Sequence, residues 1–477
     1  MKVLRAAVLL GVSTPLVVLA CGSDDGKVAP HGAAGDQGDG GQAASGASSG
    51  GSSSGKAGST AAGAGAGGEA PNGGGVAGEG GTAGVGAVTP GGAAGQDAGG
   101  AGGAPPEPEP VCGDDVTAGG ILCFDAPVPL TLVEGTPTDV AIGQWDGAEG
   151  LDVLVAGSGL TYFSNDTAHE FASSTWVGKA GIVLAAGQLD TAGSNLDLLL
   201  GQANSGNSLI EFGDGEGVVA REESSYFNSE GVLYNYFVAD VAGSPASADI
   251  VVTFSNSISV VPTTGTEGEG FLGPIQSSYP ASPQDAVLVK LGSAQWLVYS
   301  TETNVARQRV TYDLGSITLD SAVATAVGGT ASQLDVGDFD EDGFGDLAVA
   351  LKDSGDLNVL YGSGVDVGGF RAVTATADFL TLTIGTSDQA KTQRDVKVGD
   401  FNGDGHADIA VSVQGLDSVA IFSGDGAGAF GEPKLVSTGV GSGPTRLAVG
   451  DLNDDAVDDL AVVGTGSNNV IVLLSDP

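Results

Sequence analysis

From residue 126 to the end, apolar residues come in short runs rich in Val and bounded by Gly and Asp. Runs of that kind predict β-strands. Three of them spell out one pattern: VGDFDEDGFGDLAVAL from Val336, VGDFNGDGHADIAVSV from Val398 and VGDLNDDAVDDLAVVG from Val449. Each copy ends a strand, packs acidic residues into a nine-residue loop and starts another strand. The same strand pair recurs upstream in eroded form. Val140 to Asp146 leads to Leu151 to Val155, Ala185 to Asp190 leads to Leu196 to Leu200, and Phe237 to Asp240 leads to Ala248 to Val252. The weakest pair is Val287 to Leu291 followed by Gln295 to Tyr299. Seven units, about 45 to 60 residues apart, suit a propeller of four-stranded antiparallel blades.

The loops carry the chemistry. Calcium takes about six to eight oxygen ligands in flexible geometry. A loop offering oxygens at positions one, three, five, seven and nine can wrap around it. The first copy offers the side chains of Asp338, Asp340, Asp342 and Asp346 and the carbonyl of Phe344. The second offers Asp400, Asn402, Asp404 and Asp408 and the carbonyl of His406. The third offers Asp451, Asn453, Asp455 and Asp459 and the carbonyl of Val457. Gly343 and Gly405 stand at position six, where the chain turns sharply; Ala456 replaces them in the third copy, so two or three calcium sites are expected. An EF-hand would place a bidentate Glu at position twelve and helices on both sides. Position twelve here is Val349, Val411 and Val462. Acidic turns without a metal are the plain alternative, because Asp, Asn and Gly favour turns. Three copies in register weigh against it. In the first upstream unit Gln144 and Ala148 replace ligands, and the fourth unit keeps none.

The run V-G-D-F-N-G-D-G-x-x-D-I resembles the FG-GAP or VCBS repeat of integrin alpha subunits and many bacterial surface proteins. The resemblance covers residues 126–477, strongly over the last third. It implies an all-β, seven-bladed propeller with calcium loops between the first two strands of a blade, and partners that dock elsewhere, often on the opposite face. The ends suggest how the ring closes. The last unit supplies three strands, Arg446 to Val449, Leu460 to Val463 and Asn469 to Leu474. Pro127 to Val133 is a strand with no unit of its own and is expected to complete the last blade. Its two prolines suit an outer edge.

The N-terminal third points to export. Residues 1–20 have a short basic start and an apolar segment from Ala6 to Ala20, too short to span a bilayer and typical of a signal peptide. The sequence Val18-Leu19-Ala20-Cys21 resembles a bacterial lipobox, which implies lipidation of Cys21 and an outer-membrane or cell-surface location. Residues 21–110 are Gly, Ala and Ser with scattered acids, ending in PPEPEP, and predict a disordered tether. With Cys21 lipidated, Cys112 and Cys123 remain, and an exported chain permits a disulfide between them within a loop at residues 111–125. That Cys-Gly-Asp to Cys segment resembles one preceding repeat domains in myxobacterial surface proteins.

Charge narrows the partners. The net charge is −43 with 16 Lys and Arg, which leaves no basic footprint for nucleic acid. A membrane is reached only through the N-terminal lipid. Of the histidines, His169 lies in a polar stretch and His406 inside a loop, where its side chain is expected to face solvent. Neither suggests a triad. Aromatic candidates for a glycan surface are Tyr226, Phe227, Tyr234, Tyr236 and Trp296, with blade core as the competing reading; Trp145 reads as core. Two functions follow. The favoured one is a non-catalytic surface lipoprotein that binds a glycan, extracellular matrix or a surface protein. The other is a polysaccharide lyase or hydrolase on the same scaffold.

Overall fold

A computed structural model describes residues 120–476 apart from loop segments, the longest of them 264–274. The predicted signal peptide, Cys21, the tether, Cys112 and His169 lie outside the described residues.

Seven antiparallel sheets form a β-propeller. Blade 1 holds β2 (Asp139–Gly143), β3 (Asp152–Ala156), β4 (Leu160–Asn165) and β5 (Phe171–Trp176). Blade 2 holds β6 (Val183–Gly187), β7 (Asp197–Gly201), β8 (Asn207–Gly213) and β9 (Val219–Tyr226). Blade 3 holds β10 (Leu233–Ala239), β11 (Asp249–Phe254), β12 (Ser257–Val261) and β13 (Ile275–Ser277). Blade 4 runs β14 (Ala286–Leu291), β15 (Ala294–Ser300), β16 (Asn304–Asp313) and β17 (Ser316–Leu319). Its ten-residue β16 is long enough to pair β17 with one half and β18 (Val323–Ala326) with the other, so this blade carries a fifth strand. Blade 5 holds β19 (Thr330–Gly337), β20 (Asp346–Lys352), β21 (Asp356–Leu360) and β22 (Leu380–Thr383). Blade 6 holds β23 (Gln393–Gly399), β24 (Asp408–Val413), β25 (Ser418–Phe422) and β26 (Lys434–Ser437).

Blade 7 is shared between the ends of the chain. It contains β27 (Pro444–Gly450), β28 (Asp459–Gly464), β29 (Asn469–Leu473) and, as its fourth strand, β1 (Val128–Thr131). The register of β1 on β29 runs from Val128 opposite Val472 to Thr131 opposite Asn469. The closure expected from the sequence is therefore present. Leu130 is the buried residue of β1, and the rest of the strand faces out, as an outer edge requires. The segment before β1 adds to the seam. Asp125 donates to the Leu474 carbonyl at 2.9 Å, and Asp476 donates to the Cys123 carbonyl at 3.0 Å.

The core lies between blades. The second strand of each blade is buried along nearly all its length, fully so in β3, β7, β11, β24 and β28 and up to the terminal Lys352 in β20, because both its faces meet a neighbouring sheet. One cluster joins Val153, Val155 and Phe163 of blade 1 to Ala461, Val463, Val470 and Leu130 of blade 7. Burying such side chains stabilises by about 1.5–3 kcal/mol each, which closes the ring by apolar packing as well as by hydrogen bonds. The glycine ending the first strand permits that packing. A Cβ at Gly450 would stand 2.8 Å from Ile142 of blade 1.

Candidate metal centres

The three acidic loops join the first and second strands of blades 5, 6 and 7. Position two is an apolar plug, buried in every case: Phe339, Phe401 and Leu452. It fixes the loop on the blade and turns its neighbours outward. The position-one carboxylate then ties the loop together. Asp338 accepts from Asp342 at 3.1 Å and Gly343 at 3.0 Å; Asp400 accepts from Asp404 at 3.2 Å and Gly405 at 2.8 Å; Asp451 accepts from Asp455 at 3.1 Å and Ala456 at 2.9 Å. Position five repeats the device one step on. Asp342, Asp404 and Asp455 accept from the N–H groups of Phe344, His406 and Val457 at 3.0, 2.9 and 2.8 Å. Asn402 and Asn453 donate to the position-five carboxylates at 3.1 and 3.0 Å.

The turn is left-handed at two places in each loop. Glu341, Gly403 and Asp454 at position four have φ of 51°, 66° and 59°. Gly343, Gly405 and Ala456 at position six have φ of 84°, 85° and 68°. Ala456 thus adopts the glycine conformation at a cost of about 1–2 kcal/mol, and the third loop keeps the shape of the other two.

The position-nine aspartates behave differently from the rest. Asp346, Asp408 and Asp459 are fully buried. One oxygen accepts the N–H of the position-two residue, from Phe339 at 2.8 Å, Phe401 at 3.0 Å and Leu452 at 2.7 Å. The other accepts an N–H just beyond the third strand, from Gly362 at 2.6 Å, Gly424 at 2.8 Å and Ser475 at 2.7 Å. The same clamp persists in the eroded blades. Asp152 accepts from Trp145 and Asn165, both at 3.0 Å, Asp197 from Leu189 at 2.7 Å and Gly213 at 3.1 Å, and Asp249 from Val241 and Thr263, both at 3.0 Å. This aspartate staples the blade wherever the loop exists, and sequence reasoning counted it only as a ligand. The signal was available, because it survives in units that have lost some of their other loop ligands, such as those replaced by Gln144 and Ala148 in blade 1. Blade 4, which has no such aspartate, replaces the loop by a short hairpin with Leu291 opposite Ala294.

Burial, reinforced by the neighbouring loop carboxylates, pushes the Asp346 carboxyl up to about 6 and those of Asp408 and Asp459 up to about 7. Each loop therefore concentrates more negative charge than its surroundings solvate well. Oxygens of Asp338, Asp340 and Asp346 lie within 4.8 Å of one another. Among the described residues no hydrogen-bond donor reaches the position-seven carbonyls of Phe344, His406 or Val457. Clustered carboxylates, a spare carbonyl and hard oxygen donors throughout make a set that fits calcium.

One expectation needs correction. His406 does not simply face solvent. Its Nδ1 meets Glu341 Oε1 of the blade 5 loop at 2.5 Å, and this contact first, with Asp404 behind it, holds the imidazole above its ordinary pKa. Of the aromatic candidates, two take the core reading, and Tyr234 is half-buried. Tyr236 and Trp296 are 4% and 7% exposed and belong to the blade cores, where Trp145 also lies, at 5%. Phe227 lies outside the described residues.

Residues 400–462 match the FG-GAP-like repeat family model. The match spans the loops of blades 6 and 7. No curated protein sequence matches the chain. Among solved structures, BBS1N in complex with ARL6DN is similar in crystals soaked with lead or with mercury. Each has 11% identity and a TM-score of 0.50, covering 74% of this chain and 97% and 96% of theirs. A streptogramin B lyase structure covers 74% of this chain and 97% of its own at 11% identity and a TM-score of 0.48. At such identities the likeness concerns the fold alone.

Proposed function

We propose that this protein is a calcium-binding, non-catalytic binding or adhesion module, held at a bacterial cell surface by a lipid on Cys21 and a flexible tether. The observation that carries the reading is the threefold repetition of one carboxylate geometry in the loops of blades 5, 6 and 7. Calcium would be held by Asp338, Asp340, Asp342 and Asp346, by Asp400, Asn402, Asp404 and Asp408, and by Asp451, Asn453, Asp455 and Asp459, with the carbonyls of Phe344, His406 and Val457. Bound there, it supplies positive charge that lets the crowded carboxylates remain ionised. Its role is structural, because the loops make up one rim of the ring and leave the opposite rim for partners. A Cys112–Cys123 disulfide would brace the entry to β1; Cys123 is buried against that seam.

The partner classes that suit an acidic, exported propeller are a glycan, extracellular matrix or a surface protein. The test is a glycan array with calcium, run beside a reducing-sugar release assay on the same ligands. Retention on a glycan or matrix component without released sugar supports the reading. Turnover of any glycan would overturn the non-catalytic assignment.

A further inference from the structure

At the centre of the ring the first strands enclose a cavity of about 330 Å³ lined by Asp139, Asp285, Asp335, Asp395, Lys397 and Arg446. This is a small-molecule volume, at the lower end of the usual range of about 300–1,000 Å³. It lies apart from the metal loops and takes no part in the chemistry described for them.

The carboxylates are fixed by the fold. Asp139 accepts N–H bonds from Val140 at 3.0 Å and, across the blade boundary, from Leu184 at 2.8 Å. Asp285 accepts from Ala286 at 2.9 Å, from the Asn235 side chain at 2.6 Å and from Leu334 of blade 5 at 3.0 Å. Asp335 accepts from Val336 at 3.0 Å and Val398 of blade 6 at 2.8 Å. Asp395 accepts from Val396 and from Leu447 of blade 7, both at 2.9 Å. Every oxygen is anchored, Asp285 Oδ1 twice, and each carboxyl group keeps acceptor capacity beyond these bonds. Burial holds the Asp139, Asp285 and Asp335 carboxyls above their ordinary values, toward the neutral form, against the pull of Arg446 on Asp139 and of Lys397 on the other two.

The cations are the opposite case. Among the described residues neither the Arg446 guanidinium nor the Lys397 ammonium donates a hydrogen bond; Lys397 comes no closer than 4.0 Å to Asp395 Oδ1. Burial pulls both down, but the carboxylates of Asp395 and Asp285 outweigh it for both, joined by Asp335 for Lys397 and by Asp139 for Arg446, and hold both above their ordinary values. Both therefore stay charged, with about five and three N–H donors respectively to spend.

The cavity thus offers unspent donors and unspent acceptors side by side. A cation entering it meets Lys397 and Arg446, and the carboxyls that would attract it are held toward their neutral form by burial. An anion meets four carboxylates. A neutral group that both accepts and donates meets neither penalty, and that group is the hydroxyl. We propose that the central cavity binds a neutral polyhydroxylated ligand, one sugar residue or a polyol of that size, with Arg446 and Lys397 donating to its oxygens and the ring of aspartates accepting from its hydroxyl hydrogens.

The test is saturation-transfer NMR on the full-length protein. The probes, each used alone, are glucose, galactose, mannose, N-acetylglucosamine, citrate and tetramethylammonium. At least one sugar should receive saturation. Arg446→Lys, which keeps the charge and loses the planar fork, should weaken it about tenfold or more with an unchanged melting temperature. Lys397→Arg serves the same end if the first variant melts early. A crystal soaked with the bound sugar should show it between Arg446 and Asp139. Binding of citrate or tetramethylammonium alone, no sugar bound, sugar bound equally by both variants, or sugar density on a loop surface would each overturn the proposal. A negative glycan array would remove the surface-binding reading and leave this one standing if a free sugar still binds.

Discussion

In blade 6 the first loop position is Asp400, and its carboxylate gathers the N–H groups of Asp404 and Gly405. In blade 1 it is Gln144. That side chain accepts from Asp146 at 3.2 Å and Gly147 at 3.0 Å and donates to the carbonyls of Ala148 at 2.5 Å and Gly150 at 2.6 Å. Gly150 stands at the seventh position, whose carbonyl is left without a donor in blades 5, 6 and 7. An amide N–H₂ thus does in blade 1 what a cation would do in blade 6. Both loops rest on an apolar plug and a buried position-nine aspartate. The comparison separates two things that the acidic pattern runs together: the staple that builds a blade, and the charge cluster that asks for an ion.

Removing the staple should do the most damage, and should do it in both blades. Asp152→Ala and Asp408→Ala each strand two N–H groups, at about 1–3 kcal/mol per group. We expect each to lower the melting temperature strongly, and the Asp152 effect to be the same in calcium and in EDTA. An Asp152 variant that melts like the native protein would break the equivalence of the two loops.

Calcium should act only on the blades with acidic loops. Well above its dissociation constant each occupied site is expected to add about 1–3 kcal/mol, so EDTA should lower the melting temperature and magnesium should not restore it. The pH dependence has a definite sign. In the folded state the Asp346, Asp408 and Asp459 carboxyls are raised to about 6, 7 and 7, against an unfolded value near 3.9. Between those values the folded protein binds more protons than the unfolded chain, so without calcium their contribution to stability should fall as pH rises from about 4 to 7. Calcium should flatten that slope. A melting temperature in EDTA that rises over this window, or a slope unchanged by calcium, would count against an ion in the loops.

Gln144→Ala tests the other half of the comparison. It removes the two donated bonds that substitute for an ion together with the two accepted ones that tie the loop, and should cost about 1–2 kcal/mol regardless of calcium. Asp400→Ala should instead lose mainly the stabilisation that calcium confers. If both variants respond to calcium alike, Gln144 is not standing in for a cation.

Much of this was legible in the chain because the repeat is periodic in two ways at once. Apolar runs gave the first two strands of all seven blades, and the surplus segment from Pro127 to Val133, which holds β1, marked where the ring closes. What escaped notice depends on contacts between blades. Nothing in the local pattern says that Glu341 reaches His406, sixty-five residues away, or that β16 carries two strands on its outer edge. The central cluster is harder still. Asp139, Asp285, Asp335 and Asp395 look like ordinary strand-edge acids until the ring brings them together with Arg446 and Lys397. Tyr236 and Trp296 were ambiguous for the reverse reason, since aromatic residues serve core and surface equally.

The smallest effect sharpens the comparison within the acidic loops themselves. Ala456 holds φ of 68° where Gly343 and Gly405 hold 84° and 85°. An alanine pays for the left-handed turn in the folded state, whereas a glycine pays in the freedom of the unfolded chain. The first cost is the larger, at about 1–2 kcal/mol against about 0.5–1. Ala456→Gly should therefore raise stability by up to about 1 kcal/mol in EDTA. If the third loop binds calcium as the other two do, the same substitution should also tighten it, because the turn at position six no longer resists the closed form. Calorimetric titration of the native protein and the variant separates these outcomes. A gain in both stability and calcium affinity makes blade 7 a full member of the set. A stability gain with calcium affinity unchanged would leave the loop of blade 7 with the acidic shape but without the ion.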